Sequence, residues 1–162
     1  MRISPVGVVA KSIDEAKNYS KTITNVSHNH PDSIQGAEAV AVVIHMALQG
    51  ESLLSIKEYI NKNYFDVNDL KIDSMKSQYF HINCVETVKQ ALSSFFNSYD
   101  FEDAIRNAIS LGGDSDTIGA ITGSMAAAYY GIPEYIYNEV LEYLDEYLIG
   151  IHDDFYKKFT IK

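Results

Sequence analysis

The chain has 162 residues, of which 46% are hydrophobic and 22% charged, and its formal net charge is −9. This length and composition predict one globular domain, and the acidic balance disfavours a nucleic-acid surface, which needs a basic patch. A single cysteine, Cys84, excludes an internal disulfide, and no apolar run is long enough to span a membrane, so we expect a cytoplasmic protein.

The first 25 residues predict an extended loop followed by one helix. Pro5 and Gly7 interrupt any regular pattern over residues 1–11. Ser12 and Glu15 then have the spacing of a capping box, which predicts a helix that runs to about Thr24. The predicted inner stripe of this helix consists of Ile13, Ala16, Tyr19 and Ile23.

A polar loop with two histidines, His28 and His30, precedes the next helix. Pro31 suits the first helical position. Two histidines without a third histidine or a nearby cysteine are a poor metal site. The helix predicted over residues 32–49 is apolar nearly all round, so we expect it to be central and buried, with Gly50 after its end.

Four further helices are predicted between residues 53 and 111. Ser52 caps the first, and a short helix over 68–75 and a connector at 79–81 follow it. Asn83 and Asp100 cap the other two. Cys84 is interpreted as a small core residue, since its neighbours do not suggest a nucleophile.

The most informative stretch is Leu-Gly-Gly-Asp-Ser-Asp-Thr-Ile-Gly-Ala, residues 111–120. Two glycines permit a sharp turn and the close approach of a ligand. Asp114, Asp116 and Thr117 offer only oxygen ligands, which suit Mg²⁺, Mn²⁺ or Ca²⁺ better than Zn²⁺. Asp116 is expected at the N-cap of the following helix. Spacing alone leaves open a plain turn with a capping aspartate.

The last third of the chain predicts two more helices and a polar tail. Gly119 and Gly123 lie four residues apart on the first helix and indicate close packing. The second is predicted over 134–149 with an acidic outer face, and residues 151–162 form the tail. Strong helical periodicity without strand alternation predicts an all-α fold, a compact bundle of about seven helices over residues 1–162.

Three separated motifs resemble the ADP-ribosylglycohydrolase family. The longest is Ile-Ser-Leu-Gly-Gly-Asp-Ser-Asp-Thr-Ile-Gly-Ala-Ile-Thr-Gly-Ser, residues 109–124. Residues 27–37, Ser-His-Asn-His-Pro-Asp-Ser-Ile-Gln-Gly-Ala, resemble the family's T-H-x-x-P…G-A segment. The opening Met-Arg-Ile-Ser-Pro-Val-Gly resembles its internal M-R-x-S-P-V stretch, and the three motifs occur in the family's order.

The resemblance implies hydrolysis of a glycosidic bond between ADP-ribose and a protein side chain. The family site holds two Mg²⁺ or Mn²⁺ ions. By this resemblance the metal ligands are Asp114, Asp116 and Thr117. The implied substrate-binding residues are His28, Gly112, Gly113 and Ser115, and a histidine that caps backbone groups is the alternative for His28.

Family members are longer at the N-terminus, where they carry the other metal ligands and the general acid or base. The chain is therefore expected to resemble only the C-terminal portion, with one ion or none, and no catalytic residue is named here. Impaired activity, or activity that needs a complementing chain or a second copy, is the first hypothesis. The alternative is a non-catalytic ADP-ribose-binding or helical interaction module.

Overall fold

A computed structural model describes residues 1–72 and 83–159, and these residues form helices and connecting turns without any strand. The predicted all-α class is confirmed, with nine helices in the described ranges where about seven were expected. In chain order they are α1 (Ser4–Val9), α2 (Ile13–Asn25), α3 (Pro31–Leu48), α4 (Leu53–Asn63), α5 (Cys84–Phe96), α6 (Phe101–Ser110), α7 (Ser115–Tyr130), α8 (Glu134–Leu141) and α9 (Glu146–Lys158).

Helix α3 is the centre of the bundle, as its apolar composition predicted. It contacts α1, α2, α4, α5 and α7. Val42 and Val43 are fully buried on it, and even His45 is only 5% exposed. A helix that is apolar on every side can be stable only when neighbours cover it all round, and this arrangement fixes the positions of the outer helices.

Local capping signals locate several helix starts correctly. The side chains of Ser12, Ser52, Asn83 and Asp100 each accept a hydrogen bond from a backbone N–H in the first turn. Each such bond satisfies a donor that the helix itself leaves unpaired. Local chemistry therefore determines where α2, α4, α5 and α6 begin.

The prediction of an extended loop over residues 1–11 is wrong, because α1 forms there. Pro5 occupies its first turn, where a missing N–H has no cost. Gly7 faces α3 so closely that a Cβ atom would lie 2.6 Å from the carbonyl oxygen of Ala41 and 2.6 Å from Cβ of Ile44. The glycine that suggested a loop instead permits close packing of two helices.

The predicted inner stripe of α2 is only partly correct. Ala16 is fully buried, but Tyr19 is 44% exposed and Ile23 is 40% exposed. Ser20 and Thr24 occupy the buried positions instead. Helix α2 packs its small side chains against α3, and this close packing turns the larger side chains outward.

The single helix predicted over 134–149 is also wrong, since it divides into α8 and α9. Asp145 accepts a hydrogen bond from the backbone N–H of Leu148 at 2.8 Å and begins a new helix. That helix continues to Lys158 through the predicted tail. Asp145, which the prediction placed on the acidic outer face of one long helix, is therefore an N-cap.

Two sequence predictions fall wholly or partly on residues that are not described. The connector at 79–81 and residues 73–75 of the short helix predicted over 68–75 lie in this part of the chain. The start of that helix is wrong, because residues 68–71 form a turn and an irregular stretch instead. Among the described residues, no helix combines the length and the apolar character needed to cross a membrane.

Candidate functional site

The acidic loop between α6 and α7 reverses the chain through two glycines in the left-handed region. Gly112 has φ +71° and Gly113 has φ +67°, a conformation that other residues rarely adopt. Helix α7 then begins at Ser115, with Asp114 at the N-cap position. The predicted cap at Asp116 is therefore wrong by two residues, because the carbonyl of Asp114 already accepts the N–H of Ile118 at 3.0 Å.

The loop brings two carboxyl groups together at the start of α7. The Asp114 side chain accepts no capping hydrogen bond from the helix, so it is not used to begin α7. A hydrogen bond from the Asp114 carboxyl, and then one from the backbone N–H of Thr117, hold the pKa of Asp116 below its ordinary value. The Thr117 bond measures 2.8 Å. Both aspartates are exposed and ready to accept an external ligand.

A cavity of about 500 Å³ lies beside this loop and contains a second predicted residue. Thr117 of α7 and His28 of the α2–α3 loop both line it. The structure thus brings His28 and Thr117 to one cavity, although they are far apart in the sequence. Gly112, Gly113, Asp114, Ser115 and Asp116 belong to the adjoining acidic loop and helix start and are not among the lining residues.

His28 is held in the cavity by a polar chain. Its Nδ1 lies 2.7 Å from Oγ of Ser27, and the guanidinium of Arg2 also donates a hydrogen bond to that oxygen. Capping of α3 is carried out by His30, whose Nδ1 accepts the N–H of Asp32 at 3.3 Å. The alternative role considered for His28, capping of backbone groups, is therefore carried out by His30.

Cys84 does not belong to the hydrophobic core. The residue is exposed at the start of α5 and lines the cavity, so its assignment to the core is wrong. Burial among its neighbours nevertheless raises the pKa of the thiol, and a hydrogen bond with Ser33 only partly opposes this effect. The sequence did contain a signal of this exposure, since Cys84 directly follows the helix cap Asn83 and residues in a first turn commonly face solvent or a cleft.

We expect the Cys84 thiol to react slowly with a disulfide reagent. A raised pKa lowers the thiolate fraction at pH 8, so labelling should be slower than for a small free thiol. The measurement is the absorbance of the released chromophore from pH 7 to pH 10. Unfolding in urea is the control and should restore the ordinary rate. Labelling as fast as the free thiol would contradict the raised pKa.

The oxygen ligands of the acidic loop suit a hard cation but are too few to complete the coordination shell of that cation. It provides two carboxylates and the Thr117 hydroxyl, which are oxygen ligands. No group of three or more His, Cys, Asp or Glu side chains in the described ranges is arranged to hold a metal ion. Mg²⁺ prefers six oxygens in an octahedron, so an ion here would need water or ligands from elsewhere.

Comparison with known proteins agrees with the motifs. A family model described as ADP-ribosylglycohydrolase matches residues 1–161. The chain is 27% identical over 109 residues to ADP-ribosyl-[dinitrogen reductase] glycohydrolase of Rhodospirillum rubrum, covering 67% of this chain and 37% of that protein. It is 27% identical over 150 residues to ADP-ribosylarginine hydrolase Tri1 of Pseudomonas putida, covering 84% and 40%.

A similar relation extends to an animal protein. The chain is 23% identical over 180 residues to human ADP-ribosylhydrolase ARH3, covering 83% of this chain and 50% of that protein. The chain therefore spans half or less of the length of each of these three relatives.

Proposed function

The chain belongs to the ADP-ribosylglycohydrolase family, and on this premise we propose that it contributes one side of a site that hydrolyses the bond between ADP-ribose and a protein side chain. One observation carries the proposal. Two exposed carboxylates and the Thr117 hydroxyl stand at a helix start beside a cavity of about 500 Å³, within the size range of small-molecule sites.

We propose that Asp114, Asp116 and Thr117 bind Mg²⁺ or Mn²⁺. A bound ion of this kind stabilises negative charge and lowers the pKa of a coordinated water. Both aspartate side chains are exposed, so a cation from solvent can reach them. Gly112 and Gly113 have no side chains of their own, so a ligand can approach the main chain there. Ser115 adds a hydroxyl beside them.

His28 and its neighbours supply a polar wall for the substrate. The Arg2–Ser27–His28 chain orients the imidazole, and Arg2 adds a positive charge in a protein whose net charge is −9. A diphosphate needs such local cations, since the overall field repels it. We therefore propose that ADP-ribose, free or attached to a protein, binds in the cavity between His28 and Thr117.

The remaining metal ligands and the general acid or base are proposed to come from outside the described residues. The described residues offer no third acidic ligand near the loop, and the matched relatives are at least twice as long as the region they share with this chain. The supplier is another protein segment, a complementing chain or a second copy. Turnover by the 162 residues alone is accordingly expected to be weak and dependent on that supplier. A cytoplasmic location belongs to the same proposal, supported by the single cysteine.

The direct test is release of ADP-ribose from an arginine-ADP-ribosylated protein, the class of substrate that the name of the Pseudomonas putida relative indicates. The chain is assayed with Mg²⁺, with Mn²⁺ and with EDTA, alone and mixed with a longer family member whose own acidic loop is inactivated. Metal-dependent release in the mixture supports complementation. No release in any mixture, with ADP-ribose still bound in calorimetry, would favour the non-catalytic binding module.

A further inference from the structure

The cavity proposed to bind ADP-ribose has a polar mouth and a buried floor. The mouth consists of lining residues that are exposed or half-buried, among them Arg2, His28 and Thr117. The floor consists of the lining residues that are buried. Within the described part of the chain these are Ile3, Thr24, Gly36, Val40, Val88 and Ile121. Thr24 is the only member of this floor with a polar side chain.

Thr24 lies one helical turn inward from the mouth. The backbone N–H of His28 donates a hydrogen bond to the carbonyl oxygen of Thr24 at 2.8 Å, which places the two residues one turn apart at the end of α2. On α7, Ile121 likewise lies about one turn beyond Thr117. The cavity therefore runs from His28 and Thr117 at its mouth to Thr24 and Ile121 at its floor.

The hydroxyl of Thr24 has no hydrogen-bond partner in the part of the chain that the structure describes. Thr22 on the same helix differs, because its hydroxyl donates to the backbone carbonyl of Asn18 at 2.9 Å. Thr24 is only 8% exposed. Its oxygen is nevertheless not one of the fully enclosed oxygens without a partner, which belong to Ser20 and Tyr64. The Thr24 hydroxyl is therefore accessible, and the space beside it is the cavity that this residue lines.

The chemistry of the floor suits one part of ADP-ribose better than the others. The diphosphate is charged and each ribose carries several hydroxyls, so an apolar floor with a single hydroxyl leaves most of their polar atoms without partners. Adenine is flat and uncharged, and it presents apolar faces with nitrogen donors and acceptors along its edge. A threonine hydroxyl can donate to a ring nitrogen of the base or accept from its amino group.

We propose that Thr24 is a further substrate-binding residue, whose hydroxyl forms a hydrogen bond with the edge of the adenine base at the floor of the cavity. The apolar floor residues contact the faces of the base. This inference rests on the binding of ADP-ribose proposed above. It leaves the diphosphate near Arg2 and His28 at the mouth, and it directs the second ribose toward Thr117 and the acidic loop.

The test compares Thr24→Val, which removes the hydroxyl and keeps the branched shape of the side chain, with the parent chain. NMR titration in EDTA measures the dissociation constants of ADP-ribose, of AMP and of ribose 5-phosphate, which lacks the base. We expect Thr24→Val to bind ADP-ribose and AMP roughly three- to tenfold more weakly than the parent, and to bind ribose 5-phosphate equally well. Thr24→Ser retains the hydroxyl and should bind both nucleotides within roughly twofold of the parent.

Ser20→Ala is the matched control, about one turn earlier on α2. It also removes a buried hydroxyl without a partner, but Ser20 is not among the residues that line the cavity, so the affinity for both nucleotides should not change. Thermal unfolding without ligand separates binding from stability. Loss of an unpartnered hydroxyl should leave the Tm of Thr24→Val equal to or above that of the parent, whereas loss of a hydroxyl with a structural role would lower it.

Four results would overturn the role of Thr24 and leave the hydrolase proposal in place. They are equal affinity of the parent and Thr24→Val for ADP-ribose, an equal loss of affinity for ribose 5-phosphate, the same loss in Ser20→Ala, and a Tm of Thr24→Val well below that of the parent. A fifth result, no binding of either nucleotide to the parent chain, would overturn the placement of ADP-ribose in this cavity as well. The two failures are therefore distinguished by whether the parent chain binds ADP-ribose.

Discussion

Replacement of Asp116 by asparagine is expected to reduce metal-dependent release of ADP-ribose by roughly 100-fold or more in any assembly of this chain that shows turnover. Asp114→Asn should do the same. Asparagine keeps the shape of the side chain and removes the charge that a divalent cation requires. The two carboxylates lie together on the acidic loop without a third acidic group nearby among the described residues, so the loss of either leaves the cation poorly held.

The experiment separates loss of metal binding from loss of folding. Mn²⁺ binding followed by electron paramagnetic resonance should weaken in both variants and remain normal in Asp14→Asn, an exposed aspartate on α2. Thermal unfolding in EDTA should be unchanged, because both side chains are exposed. If both asparagine variants bind Mn²⁺ and release ADP-ribose like the parent chain, the acidic loop is not a metal site.

The second large effect concerns stability, at the contact of α1 with α3. Gly7→Ala places a Cβ atom 2.6 Å from the backbone oxygen of Ala41 and 2.6 Å from Cβ of Ile44. Backbone atoms cannot move aside as the end of a side chain can, so the two helices must separate. We expect the free energy of unfolding to fall by about 2–3 kcal/mol, and Tm to fall by roughly 5–10 °C.

Gly150→Ala on α9 is the matched control. No atom lies within 4 Å of the added Cβ, so alanine should stabilise this helix by up to about 1 kcal/mol. Thermal and urea unfolding measure both variants. A Gly7→Ala protein as stable as its parent would show that α1 does not pack against α3 as closely as described.

Much of the fold follows from the sequence, because the relevant interactions are short in range. A capping side chain and the backbone N–H that donates to it lie only two or three residues apart. The sequence alone therefore identified the four caps Ser12, Ser52, Asn83 and Asp100. The central position of α3 followed from its composition, since a helix apolar on every side must be covered. The acidic loop was likewise evident from adjacent glycines and carboxylates.

The features that the sequence did not reveal depend on contacts between distant residues. Gly7 and Pro5 suggest a loop until α3 is placed against α1, and Tyr19 and Ile23 look buried until small side chains bring α2 close to α3. Asp145 could be a surface charge or a cap, and the choice depends on where the bundle ends. The cavity that joins His28, Thr117 and Cys84 is formed by four separate segments of the chain, within residues 1–3, 24–40, 83–88 and 117–121. Local interactions thus determined the helices and the acidic loop, whereas close packing between helices decided which side chains face solvent and which face the site.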